Sequence, residues 1–546
     1  MAGFRKFDFT TGAARLALRD GLKRFRKGEE GSLIIFGLFL FVMMLMIGGL
    51  AVDLMRYEAQ RSRLQSTLDR AVLAAASLDQ PLDPAAVVAD YFDKAGLSNY
   101  LQSVTVEDLA SSRRVTAQAN MVVDATLLKL LGINTLNAPA VGAAEESASQ
   151  TEISLVVDVS GSMSRGSASG NSKVYELRRA AKQFVNIMQC DPGNPNATTG
   201  CTVAPGKVSI SLVPYSEQVL AGETLLSQFN ATGEHNFSSC VTFSETQLQT
   251  TALDPTVLLQ RTGHFDPWSS SRSSARSWTC RTDAWREIRA LEFDPAVLRT
   301  RIDALGASGN TSIDVGMKWG AALLDPSTRP VVSSLIAANQ VSSAFQGRPF
   351  DVNANGIEKV IVLMTDGVNT SQHFLHDGYR TGPSAVFYNA SQDRYSVYHA
   401  ATGQYYWDFN GGSWQDHAYG GGQYLSCSRW GSCTWVTEPG TSVELTFPEV
   451  WAKKPWRWWK RFSWLGSPGT SVGNTAKNAR LQTMCDAAKA NNIAIFTIGF
   501  EVTSDSATVM RNCASSPAHY FDANGLNLTD AFAAIARQIS KLRLVN

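Results

Sequence analysis

The longest unbroken apolar stretch is LIIFGLFLFVMMLMIGGLAV (33–52), which holds no charged side chain and only three glycines. As a helix rising 1.5 Å per residue it reaches roughly 30 Å, the hydrocarbon thickness of a bilayer; a core helix seldom stays apolar all round for that length. Past it, residues 53–78 keep Leu54, Leu64, Leu68, Val72 and Leu73 at helical spacing, which predicts an amphipathic continuation ended by Pro81 and Pro84. PAAVVADYFDKAG and TLLKLLG then read as short helices and SVTVEDL and RRVTAQANMVV as alternating strands, with LNAPAVGAAEES closing a small α+β unit near residue 150.

From residue 151 the rhythm changes to apolar strand followed by helix. Strands are predicted at ISLVVDV (153–159), VSISLVPYS (208–216), KVIVLMTDG (359–367) and IAIFTIGF (493–500), with a weaker one at AHYFDA (518–523). Such near-continuous apolar runs mark strands buried on both faces. Helices are predicted at KVYELRRAAKQFVNIM, SIDVGMKWGAALL, NTAKNARLQTMCDAAKANN, SATVMRNCAS and LTDAFAAIARQISKL. The alternation is that of a doubly wound, mostly parallel α/β sheet. Two stretches interrupt it, about 217–300, which is Ser/Thr-rich, and 371–472, which carries nine of the thirteen tryptophans. Both read as insertions. The expected organisation is therefore a basic segment (1–32), a membrane span (33–52), a helix extension with a small α+β unit (53–150), and an α/β domain (151–546).

Charge orients this plan. Arg5, Lys6, Arg15, Arg19, Lys23, Arg24, Arg26 and Lys27 precede the apolar segment, and only Arg56, Arg61, Arg63 and Arg70 follow it over a similar distance. That bias places the N-terminus in the cytoplasm and the remainder outside. A cleaved secretory signal fits poorly, because the run is too long and no A-x-A-like site follows. Across the whole chain 49 basic residues nearly balance 48 acidic ones, so no global field draws nucleic acid. All eight cysteines lie beyond the apolar segment, as expected of an oxidising compartment, although eight buried thiols are the alternative. Close spacing suggests Cys190–Cys201 and Cys427–Cys433. Cys240–Cys280 and Cys485–Cys513 would complete the set, but spacing does not fix connectivity.

Candidate chemistry sits where apolar strands end. ISLVVDV runs into SGSM, which gives Asp158-x-Ser160-x-Ser162, and KVIVLMTDG ends on Asp366. GASGNTSIDVG places Thr311 in a Gly-rich loop before a helix. Open parallel sheets bind ligands beyond the carboxyl ends of their strands, and carboxylates with hydroxyls are hard-oxygen donors for a small divalent cation. Each residue also has a plainer reading: an Asx/Ser turn at Asp158, a turn cap at Asp366, and a helix N-cap at Thr311 or Ser312.

DVSGSM, the threonine of GNTS and the aspartate of MTDG together resemble the metal-ion-dependent adhesion site of von Willebrand factor A (VWA) domains. The resemblance implies that Asp158, Ser160, Ser162, Thr311 and Asp366 surround one Mg²⁺, or a similar ion such as Ca²⁺ or Mn²⁺, partly through water. Because the hydroxyls are neutral, such a cation keeps an attraction for a partner's carboxylate, and binding needs no nucleophile or general base. The stretch from GEEGSLIIF to AVLAAAS resembles the N-terminal anchor of TadG-type Tad/Flp pilus-assembly proteins, in an Asp just beyond a Gly-containing apolar helix, then RxRLQ and an Ala-rich helix. That likeness implies a single-pass protein of the bacterial cell membrane, not an enzyme, with its head in the periplasm or at the surface and a pilus-assembly component as partner. A surface adhesin using the same head on an external ligand is the alternative. Pilin-type processing after Gly28 would want an acidic residue where Leu33 stands, so the anchor is expected to remain uncleaved.

Other signals are weaker. DVNANG (351–356) opens like an EF-hand loop, but Val362 stands where a bidentate Glu belongs, so a surface turn is expected. GCTVAPGK (200–207) has five residues between its glycines where a phosphate loop has four. HExxH is absent. The Trp-rich insertion is expected to form its own core. Binding through exposed aromatics is a second reading, and membrane contact through Lys453, Lys454, Arg457, Lys460 and Arg461 a third.

Overall fold

The computed structural model describes residue 23 and residues 31–545, apart from 78, 79, 81, 110, 111, 148, 149 and 355. The basic stretch before the apolar segment, other than Lys23, and Gly28 lie outside the described residues. The chain divides into two compact units, Met1–Ala148 and Ser149–Asn546.

In the first unit a single helix, α1 (Gly31–Ala76), joins the apolar segment to the amphipathic one without a break. Its residues from Leu33 to Val52 are exposed except Gly49. Among the described residues it is the one helix long and apolar enough to cross a membrane. Lower down, Leu64, Leu68 and Val72 are buried against Val88 and Phe92 of α2 (Pro84–Lys94) and against an antiparallel sheet. That sheet runs β1 (Leu101–Leu109), β2 (Ser112–Asp124), β3 (Thr135–Ser147). Leu54 and Leu73 face outward. Two expectations change here. TLLKLLG makes only a short 3-10 turn, Leu128–Leu131, and the closing segment is a full strand. β3 hides its alternation in small residues: Ala138 and Ala140 are buried, and a Cβ at Gly142 would collide with Leu68.

The second unit is built on a six-stranded sheet. Its strands are β4 (Gln150–Asp158), β5 (Val208–Tyr215), β6 (Arg289–Glu292), β7 (Ile357–Thr365), β8 (Ala494–Phe500) and β9 (Tyr520–Ala523). The spatial order is β9-β8-β7-β4-β5-β6, parallel throughout except for β6. On one face Phe184 and Ile187 of α3 (Lys173–Gln189) pack with Phe532 and Ile535 of α8 (Leu528–Val545), joined by Leu298 of α4 (Pro295–Ala304). On the other face α5 (Ile313–Ala322), α6 (Asn474–Ala490) and α7 (Ser504–Cys513) bury Trp319, Leu481 and Met510. This is a doubly wound, mostly parallel α/β fold. Successive strands leave β4 first towards β5 and later towards β7, so the order reverses between β4 and β7, where a ligand crevice is expected. The sequence reading missed β6, which is four residues long and sits inside the expected first insertion.

All eight cysteines form disulfides: Cys190–Cys201, Cys240–Cys280, Cys427–Cys433 and Cys485–Cys513. Within 371–472, Gln372–Leu375 pairs with Gly469–Val472 and closes the neck of the insertion. Inside lies an antiparallel sheet of Ser413–Gln415, Gln404–Trp407, Arg394–His399, Pro383–Asn389 and Ser442–Thr446, in that order. Trp451, Trp456, Trp458 and Trp459 are buried in its core. Several cations of the run are spent internally: Lys454 lies 3.9 Å from the Tyr395 ring centre and Arg461 pairs with Asp408 at 2.8 Å. Trp430 and Trp435 are exposed on the hairpin bounded by Cys427–Cys433.

Candidate functional site

The carboxyl ends of β4 and β7 bring four of the five expected residues into one hydrogen-bonded chain. Asp158, the last residue of β4, is fully buried and accepts from the Ser160 backbone N–H at 2.8 Å. Ser160 Oγ and Ser162 Oγ are 3.0 Å apart, and Ser162 Oγ donates to Asp366 Oδ1 at 2.6 Å. The turn forms because Ser160 is extended and Gly161–Ser164 coils into one 3-10 turn, which aims both hydroxyls back over the sheet.

Thr311 stands in the adjoining loop. Gly161 N–H donates to the Gly309 carbonyl at 2.8 Å, and Ser308 N–H to the Val159 carbonyl at 2.9 Å, so the two loops are stitched together. Thr311 N–H donates to Thr370 Oγ1 at 2.9 Å, and its carbonyl accepts from the buried Lys477 ammonium at 2.9 Å. Ser312 takes the N-cap position of α5, yet its side chain makes no capping bond. Thr311 joins the site through its loop, and its hydroxyl makes no hydrogen bond to the other four among the described residues.

Two further residues belong to the site and were missed in the sequence. Thr365 Oγ1 donates to Asp158 Oδ2 at 2.8 Å. Lys173, the first residue of α3, places its ammonium 3.2 Å from Asp366 Oδ2 and 3.9 Å from Glu501 Oε2. As a buried cation in the first turn of a helix, Lys173 opposes the dipole and needs the anion that Asp366 supplies.

Burial first, and then the negative charge of Asp366, push the Asp158 carboxyl above the ordinary carboxylate range. Asp366 Oδ2 receives no hydrogen bond and faces the Lys173 ammonium. Two buried carboxylates that repel each other, beside three hydroxyls, are a donor set that suits a hard divalent cation. Among the described residues no group of three or more His, Cys, Asp or Glu side chains is arranged to hold a metal ion, so a site here rests on hydroxyl donors as well as carboxylates. The EF-hand-like loop is otherwise engaged, with Asp351 paired to Arg329 at 2.8 Å and Asn353 accepting from Asn492 at 2.7 Å.

Comparison with known proteins bears first on the other unit. Residues 31–78 match the family model described as "Putative Flp pilus-assembly TadE/G-like". They form a TadE/G-like segment. In this segment α1 carries the features read from the sequence, with Asp53 just beyond the apolar run and then RSRLQ, whose Leu64 is buried against α2. No curated protein matches the chain. Among solved structures it is similar to the vWF domain of the type V pili tip protein Mfa5 from Porphyromonas gingivalis, at 16% identity, 73% of this chain, 98% of that chain and a TM-score of 0.31. It is also similar to the PilB minor pilin from Streptococcus sanguinis, at 11% identity, 81% and 78% coverage and a TM-score of 0.30. Proximal thread matrix protein 1 from the mussel byssus matches at 10% identity, 72% and 46% coverage and a TM-score of 0.25. At those values none of the three carries a conclusion about what this chain binds.

Proposed function

We propose that this chain is a single-pass membrane protein whose VWA head takes part in assembling or anchoring a Tad/Flp-type pilus by cation-dependent protein binding. The N-terminus lies in the cytoplasm and residues 53–546 outside. Supporting this reading, above all, is the hydrogen-bonded run Asp158–Ser160–Ser162–Asp366 across the gap where strand order reverses. Asp158, Ser160, Ser162, Thr311 and Asp366 would hold Mg²⁺, Ca²⁺ or Mn²⁺, directly or through water, and the ion would supply positive charge for a partner's carboxylate. The chain's own residues orient that site: Thr365 fixes the Asp158 rotamer, and Lys477 ties the Thr311 loop to Thr370. The head acts as a binding module, without catalysis.

Full-length protein in detergent, melted with and without Mg²⁺ or Ca²⁺, tests the site. Wild type should gain stability with cation, and Asp158→Ala should lose that gain. Equal melting temperatures for wild type with cation and with chelator would sink the metal reading. Capture of envelope proteins with and without chelator then tests the partner, and pilus loss on deletion, with the head shielded from external protease, separates assembly from adhesion.

A further inference from the structure

The turn that replaces the expected TLLKLLG helix has an unusual surface. Leu127, Leu130, Leu131 and Ile133 are 40%, 76%, 54% and 44% exposed, in a ten-residue connection between β2 and β3. An exposed cluster of this kind on one loop asks for a covering phase.

Its position says which one. Leu127 lies against Gly49 of α1 so closely that a Cβ there would strike its side chain. Gly49 falls three residues inside the apolar run, about 4.5 Å below its end along the helix axis. The loop is held there by Asp53, which accepts from the backbone N–H groups of Thr126, Leu127 and Leu128 at 3.0, 2.7 and 2.8 Å. Leu130, Gly132 and Ile133 donate their N–H groups to carbonyls within the loop. Six of the eight amides of residues 126–133 are thus satisfied without water, which lowers the cost of placing this backbone at the membrane interface. Around it stand Arg56, which donates to Thr126 Oγ1 at 2.6 Å, and the exposed Lys129, cations suited to lipid headgroups.

We propose that residues 126–133 insert into the outer leaflet as a second membrane contact, clamped to the anchor helix by Asp53, so that the small unit lies fixed against the bilayer surface. This rests on the reading of 33–52 as a membrane span. The aspartate just beyond the apolar helix then serves a physical purpose, ordering an apolar loop at the interface.

The test uses the full chain in phosphatidylcholine/phosphatidylglycerol vesicles at low protein density. All eight native cysteines are in disulfides, so Leu130→Cys supplies one free thiol for an environment-sensitive fluorophore. Phe39→Cys reports the anchor, and Glu107→Cys, near the far end of the β-sheet, reports solvent. Lipids brominated in the acyl chain should quench the label at positions 39 and 130 and leave 107 bright. Asp53→Asn should reduce quenching at 130 and preserve it at 39. Quenching at 39 with a label at 130 as bright as at 107 overturns the loop insertion alone. A bright label at 39 overturns the span and the loop together. A label at 130 that becomes shielded only at high protein density identifies contact with a second copy, which also overturns the proposal.

Discussion

The Lys173 ammonium stands 3.2 Å from Asp366 Oδ2, an oxygen that accepts no hydrogen bond. A lysine there occupies the electrostatic role that a divalent cation would share, so the two compete for Asp366. Lys173→Met should lower the melting temperature measured with chelator, because a buried carboxylate loses its counter-charge. The same change should tighten Mg²⁺ binding, by roughly tenfold for about 1.4 kcal/mol of repulsion removed. Isothermal titration of both proteins checks it; weaker Mg²⁺ binding by the variant would show that Lys173 supports the ion.

Lys477 is fully buried, with its ammonium on the Thr311 and Thr370 carbonyls at 2.9 Å each and 3.8 Å from Asp314 Oδ1. Both Asp314 oxygens lack hydrogen bonds, and burial pushes this carboxyl up while Lys477 pulls it down. Lys477→Met therefore strands a buried acid and should cost about 3–5 kcal/mol in denaturant unfolding. Adding Asp314→Asn should recover part of that loss. Additive losses in the double variant would mean the two groups are not coupled.

How much of this was legible in sequence follows from which forces set each element. The strands from Gln150, Val208, Ile357 and Ala494 were readable because burial on both faces makes them continuously apolar, and their ends delivered Asp158 and Asp366. Four residues of edge strand at Arg289–Glu292 carry too little pattern to separate from loop. β3 was missed because close packing on α1 demands alanine and glycine, which leave no apolar alternation. Lys173 and Thr365 escaped because their roles come from chain segments about 200 residues away.

His417 offers a pH readout in the Trp-rich insertion. Partial burial pulls its imidazole down, but hydrogen bonds to Asp416 at 2.6 Å and Glu438 at 2.8 Å outweigh that and raise it overall. A raised folded-state value stabilises the charged form, so the contribution is full below the unfolded value of about 6.5 and disappears as pH climbs through the folded value. Protection of the Gly420 amide, which donates to the same Glu438, should accordingly weaken from pH 6 to pH 8 after correction for intrinsic exchange. In His417→Gln that extra weakening should vanish. An unchanged pH response in the variant would assign it to another group.

The four disulfides should not be equal in their effect on unfolding. Cys485–Cys513 joins α6 to α7 across a separation of 28 residues, with both residues fully buried in the core beside Met484 and Met510. Loop-closure entropy alone gives about 3–4 kcal/mol for a link of that span. Cys427–Cys433 spans six residues on an exposed hairpin, and losing it frays that hairpin without opening the main sheet. Paired alanine replacement at 485 and 513 should shift the main denaturant transition strongly, with added loss from the vacated core. Replacement at 427 and 433 should leave that transition nearly in place and raise exchange only around Gln423–Cys427 and Cys433–Thr437. Equal shifts for the two variants would mean that the hairpin is part of the same cooperative unit as the sheet.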